Sequence, residues 1–202
     1  MASAVTSGFS WPGALRKLAW GGAALLLLLP LIAMQFSREV NWGAGDFIIM
    51  GTLLFTCAGI VDRATRVTDN LAYVAGAVVA VGTSFLLIWS NLAVGIIGDE
   101  GNPANLMFFG IILLAAAGAV VARFKARGMA MAMLAAGLAQ ILAAVATLYW
   151  EWGLMEPPGA AGVIGIILFF AAGWLLSSAL FWRAARDQDA SSADAEPQSR
   201  MT

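Results

Sequence analysis

Six apolar stretches, each long enough to cross a bilayer, divide the chain at residues 18–36, 47–61, 71–97, 106–122, 129–150 and 161–182. A spanning helix needs roughly 20 mostly apolar residues at about 1.5 Å each, with a few residues of tolerance. Without water, the backbone in such a run must bond to itself, which selects helix. The segments between the runs sort by charge. Arg16 and Lys17 precede the first run, and Arg63 and Arg66 lie between the second and third. Arg123, Lys125 and Arg127 separate the fourth from the fifth, and Arg183, Arg186 and Arg200 follow the sixth. Of the 11 Lys and Arg residues only Arg38 falls at the opposite set of ends. By the positive-inside rule the basic segments are cytoplasmic and both termini face the cytoplasm. The expected fold is an all-α membrane protein, a six-transmembrane-helix bundle with N-in/C-in topology.

The composition agrees: 61% hydrophobic residues against 11% charged, with a mean hydropathy of +0.84. The formal net charge of −1 averages a basic cytoplasmic side with an acidic outer side. Nucleic acid is not an expected partner, because the basic residues occur in twos and threes beside helix ends and form no broad patch. The chain has no histidine and one cysteine, Cys57. Haem held by histidine, a histidine-based zinc or di-iron site, and a nucleophile with a histidine base are therefore excluded for this chain alone. No intramolecular disulfide can form, and Cys57 reads as a small hydrophobe. No cofactor or metal is expected. Arg16 and Lys17 ahead of the leucine run 25–29 resemble a secretory signal, but no small-x-small cleavage pattern follows, so a retained helix, kinked near Pro30, is expected.

The organisation expected is a cytoplasmic N-terminal segment over 1–17, a six-helix membrane domain over 18–182, and a disordered cytoplasmic tail over 183–202, whose Asp, Ser, Ala, Gln and Pro cannot bury enough apolar area to fold. The second run is short, about 22 Å of helix against a hydrocarbon layer of ~30 Å. Either the bilayer thins locally, or Asp46 and Asp62, which bracket the run, sit near the interface and turn toward protein partners instead of lipid. Arg66, four residues after Asp62, fits an interfacial ion pair better than a transport role. The third run is long. Its helix is expected to reach the interface near residues 89–91, leaving 92–97 as tilted helix or as a segment folded back. A polar turn follows over 98–105, with Asn105 placed to cap the fourth helix. Pro157 and Pro158 stiffen the third outer loop.

In the even helices two glycines recur with seven residues between them: Gly51 and Gly59, Gly110 and Gly118, Gly165 and Gly173. They are candidate helix-packing positions, and superposing them aligns Asp46 with Asn105. Two readings stay open, a threefold helical-hairpin repeat and ordinary packing glycines in a chain that holds 22 of them.

The candidate site is the outer polar and acidic face: Asp46, Asn91, Asp99, Glu100, Asn102, Asn105 and Glu151, with Glu39 and Glu156 nearby and Trp42, Trp89, Trp150 and Trp152 beside them. Carboxylates suit a hard cation, and tryptophan faces suit an organic one. Topology selection and interfacial Trp enrichment predict the same pattern and are the weightier explanation, since no loop has a calcium-loop spacing. Asp46, Asp99 and Glu151 are the only general-acid candidates, and no nucleophile and base are paired, so no catalytic residue is assigned. Polar residues inside the spans are uncharged. Gln140 is the deepest strongly polar one and is expected to hydrogen-bond between helices.

The segment Asn91-Leu-Ala-Val-Gly-Ile-Ile-Gly-Asp-Glu-Gly-Asn-Pro-Ala-Asn105, with Asn41-Trp42 and Asp46-Phe47 before it and Arg127-Gly128-Met129-Ala130 after it, resembles an uncharacterised family of small multi-pass bacterial inner-membrane proteins. The likeness covers residues 41–130. It implies a bacterial cytoplasmic (inner) membrane location and brings no activity or site residues. The expected function is that of a non-enzymatic membrane protein working through helix contacts within the lipid bilayer, as accessory or assembly partner of a membrane complex or by self-association. The alternative is a small permease or channel for a neutral or cationic solute, with the acidic loops as its vestibule.

Overall fold

The computed structural model describes residues 11–37, 40–153 and 159–199, with side chains of the last helix described to Ala193. Among these residues all regular structure is helical: α1 (Trp11–Phe36), α2 (Ala44–Val67), α3 (Leu71–Ala93), α4 (Leu106–Val121, entered through a 3-10 turn at Pro103–Asn105), α5 (Ala126–Tyr149) and α6 (Gly159–Ser199). All six are long and apolar enough to cross a membrane. They fall into two compact units, residues 1–69 and 70–202.

The first unit is an antiparallel pair. Arg16 meets Asp62 at 3.5 Å, Trp20 stacks on Phe55 at 6.0 Å, and Leu27 lies against Gly51. Buried residues Met50, Leu54, Ala58, Val61 and Thr65 recur every three or four positions along α2 and form one helical face. The second span is short only in its apolar run. As a helix α2 has 24 residues, about 36 Å, because polar turns extend it at both ends. Asp46 lies in its first turn and accepts the Gly43 N–H at 2.8 Å, where a carboxylate also complements the helix dipole. Asp62 accepts from Arg66 at 2.8 and 3.3 Å near the other end, the expected pair. Arg16 of α1 joins it, a partner that sequence spacing does not reveal.

In the second unit α6 is the central helix. Val163, Ile167, Phe170, Trp174, Ser177, Phe181 and Ala184 are all buried along it. α3 and α5 pack on α6, α4 packs on α5, and α3 and α4 touch only slightly. This corrects the three-hairpin arrangement: α3 and α4 are consecutive but are not a packed pair. Small residues decide the seams. A Cβ on Gly173 would strike Thr83 Oγ1 of α3, one on Gly137 would lie 2.9 Å from Leu175 Cδ2 of α6, and one on Gly118 would lie 2.7 Å from Ala132 Cβ of α5. Of the six glycines expected to pack helices, Gly118 and Gly173 are thus close contacts, and Gly51 makes an ordinary one at 3.5 Å. Gly59, Gly110 and Gly165 have nothing within 4 Å among the described residues and so pack closely against no helix of this chain. Glycines eight apart sit roughly 80° apart around a helix, so a neighbour on one side reaches only one of each pair.

α6 runs on to Ser199, past residue 183 where the disordered tail is expected to begin. Asn70 donates to Asp187 at 3.2 Å and Arg127 to Asp189 at 3.3 Å, so α3 and α5 hold this stretch by its polar groups. Ser191 and Ser192 donate back to the carbonyls of Asp187 and Gln188. Composition registers missing apolar burial and is blind to such contacts. Residues 200–202 lie outside the described residues.

Candidate functional site beside the 94–105 loop

The loop after α3 folds back on itself. Val94 N–H still reaches Ser90 O at 3.1 Å, and then Gly95 (φ +71°) and Gly98 (φ +65°) reverse the chain. A Cβ on Gly95 would collide with the Asp99 carbonyl, so this reversal requires glycine on steric as well as conformational grounds. Ile96 and Ile97 turn inward and are buried. Their backbone is held by the buried carboxamide of Asn105, whose Oδ1 accepts from Ile96 N at 3.2 Å and Ile97 N at 2.9 Å. Its Nδ2 donates to Ile97 O at 3.2 Å and Asp99 O at 2.8 Å. Two donors and two acceptor sites exhaust what an asparagine side chain offers.

This decides between the two expectations for residues 92–97 in favour of the folded-back segment. It also corrects the role of Asn105, which occupies the N-cap position of α4 yet makes no capping bond with its side chain. A carboxamide can satisfy four backbone groups only from one fixed place, and that place is among the loop's own amides. Capping falls instead to Asn102, whose Oδ1 accepts from Ala104 N at 2.9 Å. The turn after α5 closes over the same loop: Gly153 has φ +64°, and a Cβ there would lie 2.6 Å from Gly98 N. Beside it Trp150 and Trp152 stack at 5.1 Å.

Among the described residues the acidic side chains are either engaged locally or exposed. Asp99 Oδ1 accepts from Gly101 N at 2.9 Å and shapes its own turn. Glu100 and Glu151 are exposed. Asp46 belongs to the other unit, where it is engaged with Gly43. Asn91 is buried, with Nδ2 on Leu87 O at 2.6 Å and Oδ1 without a partner. Glu39 and Glu156 lie outside the described residues. Among the described residues no three His, Cys, Asp or Glu are grouped to hold a metal ion.

What does come together is a crevice of about 470 Å³ between α3 and α6 beside the loop, lined by Leu86, Ser90 and Gly95 on one side and Gly162, Gly165 and Phe169 on the other. Gly162 and Gly165 present no side chain to that wall, which gives Gly165 a place in the structure different from the packing role expected of it. The lining has no ionisable group, so the crevice can accept apolar matter and offers no acid or base, and its one hydroxyl, on Ser90, has no base beside it in the lining.

Deeper in this unit the polar groups serve the helix seams. Ser177 donates to Gly76 O and Ser178 to Ala130 O, each at 2.8 Å, tying α6 to α3 and α5. Gln140, expected to make such a bond, is fully buried with neither amide atom partnered, and the Trp174 Nε1–H is likewise unpartnered. The serines succeed because a short hydroxyl reaches a carbonyl across a close seam, whereas a longer carboxamide needs a facing polar group. Sequence reasoning also missed Tyr73, which packs edge-on against Phe181 at 5.0 Å and donates to Phe124 O at 2.7 Å. Nothing in its local sequence signals either contact.

Compared with protein-family models, curated proteins and solved structures, the chain matches none.

Proposed function

We propose that this is a non-enzymatic protein of the bacterial cytoplasmic membrane, basic ends inward, that acts through helix contacts as an accessory or assembly partner of a membrane complex or as a homo-oligomer. The observation that carries this reading lies within the first unit: packed against α2, α1 buries only Ala23 of its 26 residues. Gly21 and Gly22 of the same helix, and Gly59 of α2, have no neighbour within 4 Å. Small residues on a membrane helix permit close backbone approach by another helix, which lipid cannot exploit as well. The chemistry of the second unit points the same way. Ser177 and Ser178 are taken up in helix seams, and its charged side chains lie outside the apolar part of each helix. Purification of the tagged chain in mild detergent tests the proposal: a stable co-purifying membrane protein or a defined homo-oligomer is expected. A lone monomer across several detergents would refute it.

A further inference from the structure

At the opposite end of the second unit from the 94–105 loop, the chain passes from α4 to α5 through Arg123, Phe124 and Lys125. We propose that this turn binds the headgroup of an anionic phospholipid. The inference is independent of the function proposed above and of which leaflet the turn faces.

Arg123 (φ 51°) and Phe124 (φ 57°) are consecutive non-glycine residues in the left-handed region. That conformation is uncommon for side-chain-bearing residues and an outlier for a bulky one. It is held by Phe124 N–H on Ala119 O at 3.1 Å, by Lys125 N–H on Ala122 O at 3.0 Å, and by the Tyr73 hydroxyl on Phe124 O. The consequence is presentation. Arg123, Phe124 and Lys125 all project outward, with Phe124 58% exposed at the end of an apolar helix. An aromatic ring there lies at the depth where acyl chains meet headgroups, with a cation on either side of it.

The charges at this end are unbalanced. Arg123, Lys125, Arg127, Arg183 and Arg186 stand against Asp187 and Asp189 with exposed Asp69 next to Asn70 in the chain, five cations against three carboxylates. Arg127 is taken by Asp189, and Asp187 accepts from Asn70. Among the described residues, Arg123, Lys125, Arg183 and Arg186 have no ion-pair partner. Lys125 at the N-cap of α5 makes no side-chain cap, so the positive end of that helix adds to the same field. An anion carrying its own apolar tail satisfies both halves of this surface, the two cations and the exposed ring. A soluble anion satisfies only one.

The test uses the full chain in phosphatidylcholine bilayers doped with spin-labelled phosphatidylglycerol or spin-labelled phosphatidylcholine, reading the motionally restricted fraction. Phosphatidylglycerol should be enriched at the protein by about threefold or more over phosphatidylcholine. The enrichment should vanish in Arg123→Gln/Lys125→Gln and survive in Arg123→Lys and in Arg183→Gln/Arg186→Gln, with all variants melting as the parent does. No enrichment in the parent protein would overturn the proposal. Equal loss in both double variants would also overturn it, since the effect would then belong to the general field of that end. Displacement of the labelled lipid by inorganic phosphate, beyond that by chloride at matched ionic strength, would assign the turn to a free anion and overturn the lipid reading.

Discussion

Replacing Asn105 by alanine should release the 94–105 loop. The side chain makes four hydrogen bonds to Ile96 N, Ile97 N, Ile97 O and Asp99 O from a buried position. Each is worth about 0.5–1.5 kcal/mol net, and water entering the opened loop recovers part of the loss. Roughly 2–4 kcal/mol of local stability should therefore disappear. At about 1.4 kcal/mol per tenfold, opening of the loop should become some tens to several hundred times more frequent. Amide hydrogen exchange followed at Ile96 and Ile97 reads this directly, because both N–H groups end on the carboxamide oxygen. Asn105→Asp sharpens the test. It keeps both acceptors but turns a carboxylate oxygen toward the Ile97 and Asp99 carbonyls, so at neutral pH it should protect the loop poorly. Burial and facing carbonyls disfavour the charged form and raise that carboxyl's pKa. The protonated form regains a donor, so protection should return as pH falls through the raised value and be lost again as pH rises. Unchanged exchange at Ile96 and Ile97 in the alanine variant would refute the clasp.

Gly173→Val should destabilise the α3–α6 seam by about 1–3 kcal/mol or more, because even a Cβ meets Thr83 Oγ1. Gly110→Ala, with nothing within 4 Å, should be neutral or slightly stabilising in the same thermal melt. Gln140→Leu removes two buried unpartnered polar atoms and should stabilise by about 1–3 kcal/mol in denaturant unfolding; a loss of that size would show that the carboxamide has a partner, such as a bound water. Ser178→Ala should cost about 0.6 kcal/mol and at most about 1.7 kcal/mol, the range for a single hydrogen bond between membrane helices, and no measurable cost would remove the bond to Ala130 O from the account of the α5–α6 seam.

How far the sequence carried differs from element to element. Six membrane-length helices were readable because each apolar run is bounded by polar or glycine-containing segments, and the Asp62–Arg66 pair was readable because i,i+4 spacing is local. The ends of α2 and α6 are not legible in the same way, because an apolar run marks only the part of a helix suited to hydrocarbon and both helices continue through polar residues. For Asn105 the sequence suggests a task that the fold replaces. Its position before α4 suggests a cap, and only the reversal at Gly95 and Gly98 brings Ile96, Ile97 and Asp99 within its reach. The carboxylates were grouped because they share one end of the chain's topology, but Asp99 and Asp46 each fold inward on a nearby backbone N–H.

The sequence by itself determined that the chain is helical and membrane-sized, because in hydrocarbon each backbone amide must be satisfied within its own segment and composition alone selects such segments. Tertiary structure decided which helices are neighbours. Lipid is as apolar as leucine, so burial gives no helix a preferred partner, and the choice falls to close fits of shape and single hydrogen bonds. Gly173 against Thr83 and Ser177 against Gly76 place α3 on α6 instead of on α4, its successor in the chain.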